Sequence, residues 1–242
     1  MNYPNAPIRE AIFDITIDKL NIKQVEELST FHDKIKDNFP IEKKKHQVTG
    51  LLHFSLDKPM ESKAQSNILG YVFISSDGTR QLQVKTDGIT FNVLKPYENW
   101  EIHFEQFMIM WEIYKEMFAP NIVTRIATRF INKINIPLPF EDLQDYILNM
   151  PPIPKCLPQN YSTFFMQIQV PCSEPLRNVI ITEAIEPVID SQLPFILDID
   201  VYQWLNVQNS SESILTTFSE LREVKNEIFE NCITNKTRDL FS

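Results

Sequence analysis

The side chains best suited to chemistry are two pairs of like-charged residues on predicted strands. Arg125 and Arg129 lie four positions apart, so they share one face of a strand, where two guanidinium groups could hold a carboxylate or a phosphate. Asp198 and Asp200 alternate with apolar residues in PFILDIDVY and therefore also share a face. Paired carboxylates of this kind could act as acid and base or bind Mg²⁺.

Each pair also has a structural interpretation, and that is the one we favour. An arginine in the middle of a strand with apolar neighbours is tolerated only if its charge is compensated. Arg125 and Arg129 would then form salt bridges with a neighbouring acidic strand, and Asp198 and Asp200 would supply those carboxylates or face solvent. The four residues form one polar cluster only if their two strands are neighbours in the sheet.

Other signatures of catalysis or cofactor binding are absent from the sequence. The four glycines all lie within the first 88 residues and form neither GxGxxG nor GxxxxGK[ST], so dinucleotide and P-loop chemistry are not expected. The four histidines and three cysteines form no HxH, HExxH or CxxC pattern, and no serine lies in GxSxG. We therefore expect no metal and no cofactor, and we lean towards a protein without catalytic activity.

Charge and hydropathy narrow the choice of partners and compartment. The formal net charge is −9, and an acidic chain without a lysine and arginine footprint is not expected to bind nucleic acid. The short basic run Lys43–Lys45 follows Pro40 and is interpreted as a solvated turn. No secretory segment or membrane span is expected, and three widely spaced cysteines are typical of free thiols, so we expect a cytoplasmic protein.

The element pattern predicts an α+β fold with a mainly antiparallel sheet and two long amphipathic helices. Apolar residues recur at helical spacing over 100–118, after the capping residue Asn99, and again over 211–233. The pairs Asp77-Gly78 and Asp87-Gly88 predict two successive hairpins. The order strand, helix, three strands, long helix occurs twice, which divides the chain into halves at 1–119 and 120–242 that form one compact unit. The two short helices of that pattern are expected at 22–39 and 139–150.

Four stretches of the chain resemble one family of proteins of about this length, scattered sporadically among bacteria and archaea. They are YPNAPIREAIFDI, SSDGTRQLQV, YENW and RIATRFINKINIP, and together they place nearly the whole chain in order. The most specific parts are Asn-Ala-Pro-Ile near the start and Arg-x-x-x-Arg-x-x-Asn on the predicted strand. The resemblance implies fold and length without an activity. By analogy, its patchy occurrence suggests a defence or toxin–antitoxin locus.

Two function hypotheses remain open. The favoured one is a non-enzymatic binding or regulatory protein that acts through a partner protein, with self-association also allowed. The alternative is a small-molecule-binding protein or enzyme whose anionic ligand lies between the sheet and a long helix, held by Arg125 and Arg129. A deep pocket lined by these arginines would favour the alternative, whereas an exposed apolar patch would favour the first.

Overall fold

Nine strands form the sheet in the computed structural model, which describes residues 3–55, 58–159, 161–172, 177–208 and 210–242. The strands are β1 (Ile8–Ile17), β2 (Ile41–Ser55), β3 (Lys58–Ile74), β4 (Arg80–Lys85), β5 (Gly88–Leu94), β6 (Ile122–Pro137), β7 (Phe165–Cys172), β8 (Arg177–Ile185) and β9 (Gln192–Gln208). Their order in the sheet is β2-β3-β4-β5-β1-β6-β9-β8-β7, and all neighbours are antiparallel. The predicted α+β class with an antiparallel sheet is confirmed.

The helices are α1 (His32–Ile35), α2 (Trp100–Phe118), α3 (Ser211–Cys232) and α4 (Asn235–Asp239), with 3₁₀ turns at Val25–Phe31 and Leu143–Asp145. The long helix α2 begins as predicted, because the Asn99 side chain accepts a hydrogen bond from the Ile102 amide at 2.9 Å. Both long helices pack on one side of the sheet, which we call the helix face. There the Phe13 ring lies 5.7 Å from that of Phe107 and 6.4 Å from that of Phe218.

The opposite side of the sheet, which we call the polar face, follows from strand alternation. On β1, the odd-numbered residues from Ala11 to Ile17 are buried towards the helices, so Asp14 projects to the other side. On β6, Phe130 packs on the helix face and its neighbour Arg129 is exposed. The polar face therefore carries the charged residues of the central strands.

The two sequence halves join through the centre of the sheet. β1 and β6 pair with each other, and the strand that precedes each long helix returns to pair with the first strand of its own half: β5 with β1, and β9 with β6. The predicted repeat is not matched strand for strand. The first half has four strands between its short helix and α2, whereas the second has three between its 3₁₀ turn and α3.

Three local predictions were wrong in detail. The helix expected at 22–39 is a 3₁₀ turn followed by the four-residue α1, and the one expected at 139–150 is only a 3₁₀ turn at Leu143–Asp145. The basic run Lys43–Lys45 lies on β2 rather than in a turn.

β2 and β3 extend past the rest of the sheet as a two-stranded ribbon. β3 pairs with β4 only from Gly70 to Ile74, whereas its pairing with β2 continues from His46↔Ile68 to Ser55↔Lys58. Over that stretch, each of the two strands has only the other as a strand neighbour in the described part of the chain. Isolated two-stranded ribbons are marginally stable, so this part of the sheet depends on its base.

Candidate functional site

The four charged residues singled out in the sequence do meet on the polar face, because β6 and β9 are neighbouring strands. Arg129 is the register partner of Asp200 and forms its ion pair with Asp198, two residues away on the same face of β9. Its Nε and Nη2 donate to the two carboxylate oxygens of Asp198 at 2.8 and 2.5 Å, which is the bidentate geometry that guanidinium favours. The hydrogen bonds to Asp198 raise the pKa of the Arg129 guanidinium above its usual value.

Arg125 is compensated by a different set of groups on the same face. Its Nη1 donates to Oδ2 of Asp14 at 3.0 Å, and its Nη2 lies 3.9 Å from Asp200. The guanidinium also stacks over the Tyr202 ring at 4.4 Å. Burial raises the pKa of Asp200, and its Oδ1 has no hydrogen-bond partner among the described residues.

The two arginines do not lie where the hypothesis of an anionic ligand between the sheet and a long helix requires them. Arg125 and Arg129 point away from α2 and α3, so they do not line a pocket between the sheet and a long helix. Both guanidinium groups already contact carboxylates, Asp14 and Asp198 respectively. The geometry thus matches the structural interpretation of the four residues, in which the charges compensate one another.

A cavity of about 310 Å³ lies instead on the helix face. Its walls come from four parts of the chain that are distant in sequence: the segment before β1, the turn before α2, the middle of β6 and the second half of α3. The lining residues are Tyr3, Ala6, Pro7, Ile8, Tyr97, Glu98, Asn99, Trp100, Phe130, Asn132, Arg222, Lys225, Asn226, Phe229 and Glu230. We call this cavity the α3 pocket.

The segment before β1 is held in place by the C-terminal residues. The Asn5 amide donates to the Phe241 carbonyl at 3.0 Å, and the Asn5 side chain donates to the Ser242 carbonyl at 3.1 Å. The Tyr3 hydroxyl donates to Glu230 on α3 at 2.8 Å. These contacts fix Ala6 and Pro7 as one wall of the α3 pocket, so Asn-Ala-Pro-Ile does more than set the entry of the first strand.

Lys225 is the unusual group in the α3 pocket. Its ammonium lies 3.9 Å from the centre of the Phe130 ring, deep among protein atoms, although the side chain keeps partial access to the cavity. No carboxylate lies within ion-pair distance of it among the described residues. Burial, with a smaller effect from Arg222, lowers the pKa of Lys225 to about 7. At neutral pH, the lysine is therefore divided between its charged and neutral forms.

The carboxylates nearest in the pocket lining are occupied or peripheral. Glu230 accepts from Arg238 Nε at 2.8 Å and from Tyr3, and Glu98 is exposed at the rim. The other cation of the pocket, Arg222, donates to Glu101 at 2.7 Å and stacks over Trp100. Lys225 is thus the pocket cation that the described protein leaves without a counter-charge.

Tyr97 supplies a second unsatisfied polar group in the pocket lining. Its hydroxyl is buried and has no hydrogen-bond partner among the described residues. Burial raises its pKa, so the hydroxyl keeps its proton throughout the neutral range and remains a hydrogen-bond donor. Buried polar groups are normally satisfied, so this hydroxyl is an exception, although protein atoms separate it from the cavity in the free protein.

Lys225 was missed in the sequence, although a signal for it exists. It lies seven residues after Phe218, four after Leu221 and three before Ile228, and therefore falls on the apolar stripe of α3. A lysine on that stripe departs from the pattern of an amphipathic helix. The spacing indicates an ammonium directed towards the core.

One more buried ionisable group on the helix face has an oxygen without a partner among the described residues. Glu183 on β8 is almost fully buried, its Oε2 accepts no hydrogen bond from the described residues, and burial raises its pKa to about 7. It does not line the α3 pocket. Within the described ranges, no group of three or more His, Cys, Asp or Glu side chains is arranged to hold a metal ion. Nor is any helix in those ranges long and apolar enough to cross a bilayer.

The comparison with known proteins adds no function to this geometry. No protein-family model matches the chain, and no curated protein matches it. The α3 pocket and the polar-face cluster are therefore interpreted from their own chemistry.

Proposed function

We propose that this protein binds a small anionic molecule in the α3 pocket and that Lys225 is the cation that contacts the anion. The observation that carries the proposal is the ammonium without a counter-charge beside a cavity of about 310 Å³. A buried cation is costly unless it is paired, and a bound carboxylate or phosphate would pair it. The anionic ligand of the sequence-based alternative is kept, and its site moves from the arginines to Lys225.

The rest of the α3 pocket suits a ligand with a flat apolar body. Tyr3, Trp100, Phe130 and Phe229 supply aromatic surface, and Lys225 and Asn226 supply polar groups. Pockets that combine apolar walls with a few convergent polar groups are the usual form of small-molecule sites. Three of the four stretches that carry the family resemblance contribute to this lining, through Ala6, Tyr97 and Phe130 among others.

Calorimetric titration with para-hydroxymethylbenzoate tests this proposal. The wild-type chain is expected to bind it at pH 7 and to take up roughly half a proton, because the anion favours the charged form of a lysine that is half protonated when free. Uptake is measured by repeating the titration in buffers of different ionisation enthalpy. Lys225→Met should weaken binding roughly tenfold or more and abolish the proton uptake, since a charge-assisted hydrogen bond contributes about 1.5–3 kcal/mol.

Lys155→Met is the matched control, because Lys155 is exposed and lies outside the α3 pocket. That variant should bind as the wild type does. Equal binding by the Lys225→Met variant, or binding without proton uptake, would rule out Lys225 as the anion contact.

A second candidate function, action through a protein partner, is favoured by the charge of the hairpin formed by β2 and β3. Between Ile41 and Ile74, the chain has five lysines and three acidic residues, so this region is net positive on a chain of formal charge −9. Lys43 and Lys44 are exposed on it. A basic segment on β2, the edge strand of the described sheet, is complementary to the acidic surface of a second copy of the same chain, and we propose self-association as the form of this interaction.

Sedimentation velocity tests this second candidate. Changing both Lys43 and Lys44 to Glu should raise the dissociation constant of the dimer at least about tenfold, and added salt should weaken the wild-type dimer. Changing Lys19 and Lys23 to Glu is the control, because both are exposed and lie outside β2 and β3. A wild-type chain that sediments as a monomer at every concentration would exclude this candidate.

We also propose that the two halves arose by duplication and that the protein is cytoplasmic. The matching return of β5 to β1 and of β9 to β6 supports an ancestral duplication of the two halves, with one strand added to the first. The three cysteines are unpaired, which is compatible with a cytoplasmic protein.

A further inference from the structure

We propose that Lys225 is also a nucleophile, and that it forms an imine with an aldehyde or ketone bound in the α3 pocket. This inference rests on the proposed function, because it takes the same pocket as the binding site. It narrows the ligand class to a molecule that carries both a carbonyl and an acidic group.

The surroundings of the amine favour this reactivity. A lysine held in an ion pair stays protonated and has no lone pair to donate, but Lys225 has no carboxylate within ion-pair distance among the described residues. The Arg222 guanidinium also disfavours a second positive charge nearby, so it adds to the lowering of the Lys225 pKa by burial. Desolvation and a neighbouring cation are the two features that activate lysines for condensation with carbonyl compounds.

The α3 pocket also contains the other groups that the reaction needs. The Tyr97 hydroxyl keeps its proton and donates to no described residue; protein atoms cover it in the free protein, and a shift of its ring towards the cavity would let it donate to the carbonyl oxygen and polarise the carbon for attack. Within the described part of the chain, only one N–H of the Arg222 guanidinium is hydrogen-bonded, to Glu101, so its other donors can hold the acidic group of the ligand. An anion without a carbonyl pairs with the ammonium form of Lys225, as in the proposed function, whereas a ligand with both groups places its carbonyl at the neutral form of Lys225 and its acidic group at Arg222.

The covalent step is a condensation that needs no oxidant or reductant. The nitrogen lone pair attacks the carbonyl carbon, a C–N bond forms, and a proton moves from nitrogen to oxygen to give a carbinolamine. A proton taken up from solvent then protonates the hydroxyl, the C–O bond breaks, water leaves, and a protonated imine joins Lys225 to the ligand. Hydrolysis by the reverse path returns the free amine.

Trapping with para-carboxybenzaldehyde tests the inference on the full chain. After incubation at pH 7 and reduction with cyanoborohydride, peptide mapping should find the adduct at Lys225 at least about tenfold faster than at Lys155. The neutral fraction of an amine with a pKa near 7 is about a thousand times that of an ordinary lysine at this pH, and lower basicity offsets only part of that gain. The rate should rise with pH and be half-maximal near pH 7.

The Lys225→Arg variant separates this inference from the proposed function. An arginine keeps a cation in the pocket but cannot form the imine, so this variant should still bind para-hydroxymethylbenzoate and give no fast adduct. If the wild type binds that carbonyl-free analogue while adducts at Lys225 form no faster than at Lys155, the imine is wrong and the anion site stands. If the analogue does not bind and no selective adduct forms, both are wrong.

Discussion

Charged side chains are paired with opposite charges on the polar face of the sheet, whereas two buried ionisable groups on the helix face are not paired within the described ranges. On the polar face, Arg125 and Arg129 each contact a carboxylate, supplied by a neighbouring strand. Under the helices, Lys225 and Glu183 are buried without any such contact among the described residues. Paired charges belong to the structure of a sheet, whereas an unpaired ionisable group beside a cavity is a functional candidate. By this criterion Lys225, which lies beside the α3 pocket, is a better functional candidate than Arg125 and Arg129, although the arginines stand out more clearly in the sequence.

The largest effect that separates the two faces should come from their tryptophans. Trp111 is fully buried on α2 and stacks on Tyr114 at 5.7 Å, so Trp111→Ala is expected to lower the free energy of unfolding by about 3–5 kcal/mol. Trp204 is about half exposed on β9. Trp204→Ala should therefore cost less than about 1 kcal/mol.

Urea denaturation of both variants measures these changes. If both variants lost the same free energy of unfolding, the tighter packing of Trp111 on α2 would not stabilise the protein more than that of Trp204 on β9. A loss below about 1 kcal/mol for Trp111→Ala would mean that the apolar stripe of α2 is not part of the core.

The second contrast concerns the pH dependence of stability. The folded-state pKa of Lys225, about 7, is below its ordinary value of about 10.4, so the unfolded chain binds more protons between these limits. The free energy of unfolding should therefore rise with pH over this window, by up to about 1.4 kcal/mol per pH unit from this group.

Lys225→Met should remove that slope, and subtracting its profile from the wild-type profile isolates the lysine from other titrating groups. A variant of a paired lysine on the polar side, Lys133→Met, is the control, because Lys133 donates to Glu186 at 2.8 Å. The pocket interpretation would be contradicted by parallel wild-type and Lys225→Met profiles between pH 7 and 10.

Much of the fold follows from periodicity in the sequence. The apolar stripe and the capping Asn99 predicted α2 with its bounds, and Asp-Gly pairs predicted the turns on either side of β4. Gly78 has a φ of 73°, in the left-handed region that glycine tolerates. Alternation also predicted that Arg125 and Arg129 share a face. These features are local, so a single sequence contains them.

Other features of the fold were predicted wrongly or not at all, and each case has a physical reason. In the segment expected to be a helix from 22 to 39, the hydroxyls of Ser29 and Thr30 bond to the carbonyls of Glu26 and Glu27, which favours the tighter 3₁₀ turn. The ribbon strand β2 carries exposed lysines in succession, without the alternation that a half-buried strand shows. The α3 pocket joins four distant segments, and no local pattern encodes such a meeting.

The smallest effect expected is on the polar face, at Arg129. Its side chain is 44% exposed, whereas that of its partner Asp198 is 9% exposed, so solvent screens the pair on one side only. Arg129→Ala should lower the free energy of unfolding by about 1–2 kcal/mol, because the buried carboxylate loses two charge-assisted hydrogen bonds. Arg129→Lys should lose less stability than Arg129→Ala but remain less stable than the wild type, since an ammonium cannot reproduce the bidentate contact.

Arg9→Ala is the control. Arg9 pairs with Glu186, and these two side chains are more exposed than Arg129 and Asp198, respectively, so the free energy of unfolding should fall by less than about 0.5 kcal/mol. Thermal and chemical denaturation measure stability, and titration with para-hydroxymethylbenzoate measures binding by the same variant. If Arg129→Ala kept wild-type stability and lost the ligand, the polar face would be the binding site, and the contrast between the two faces would be reversed.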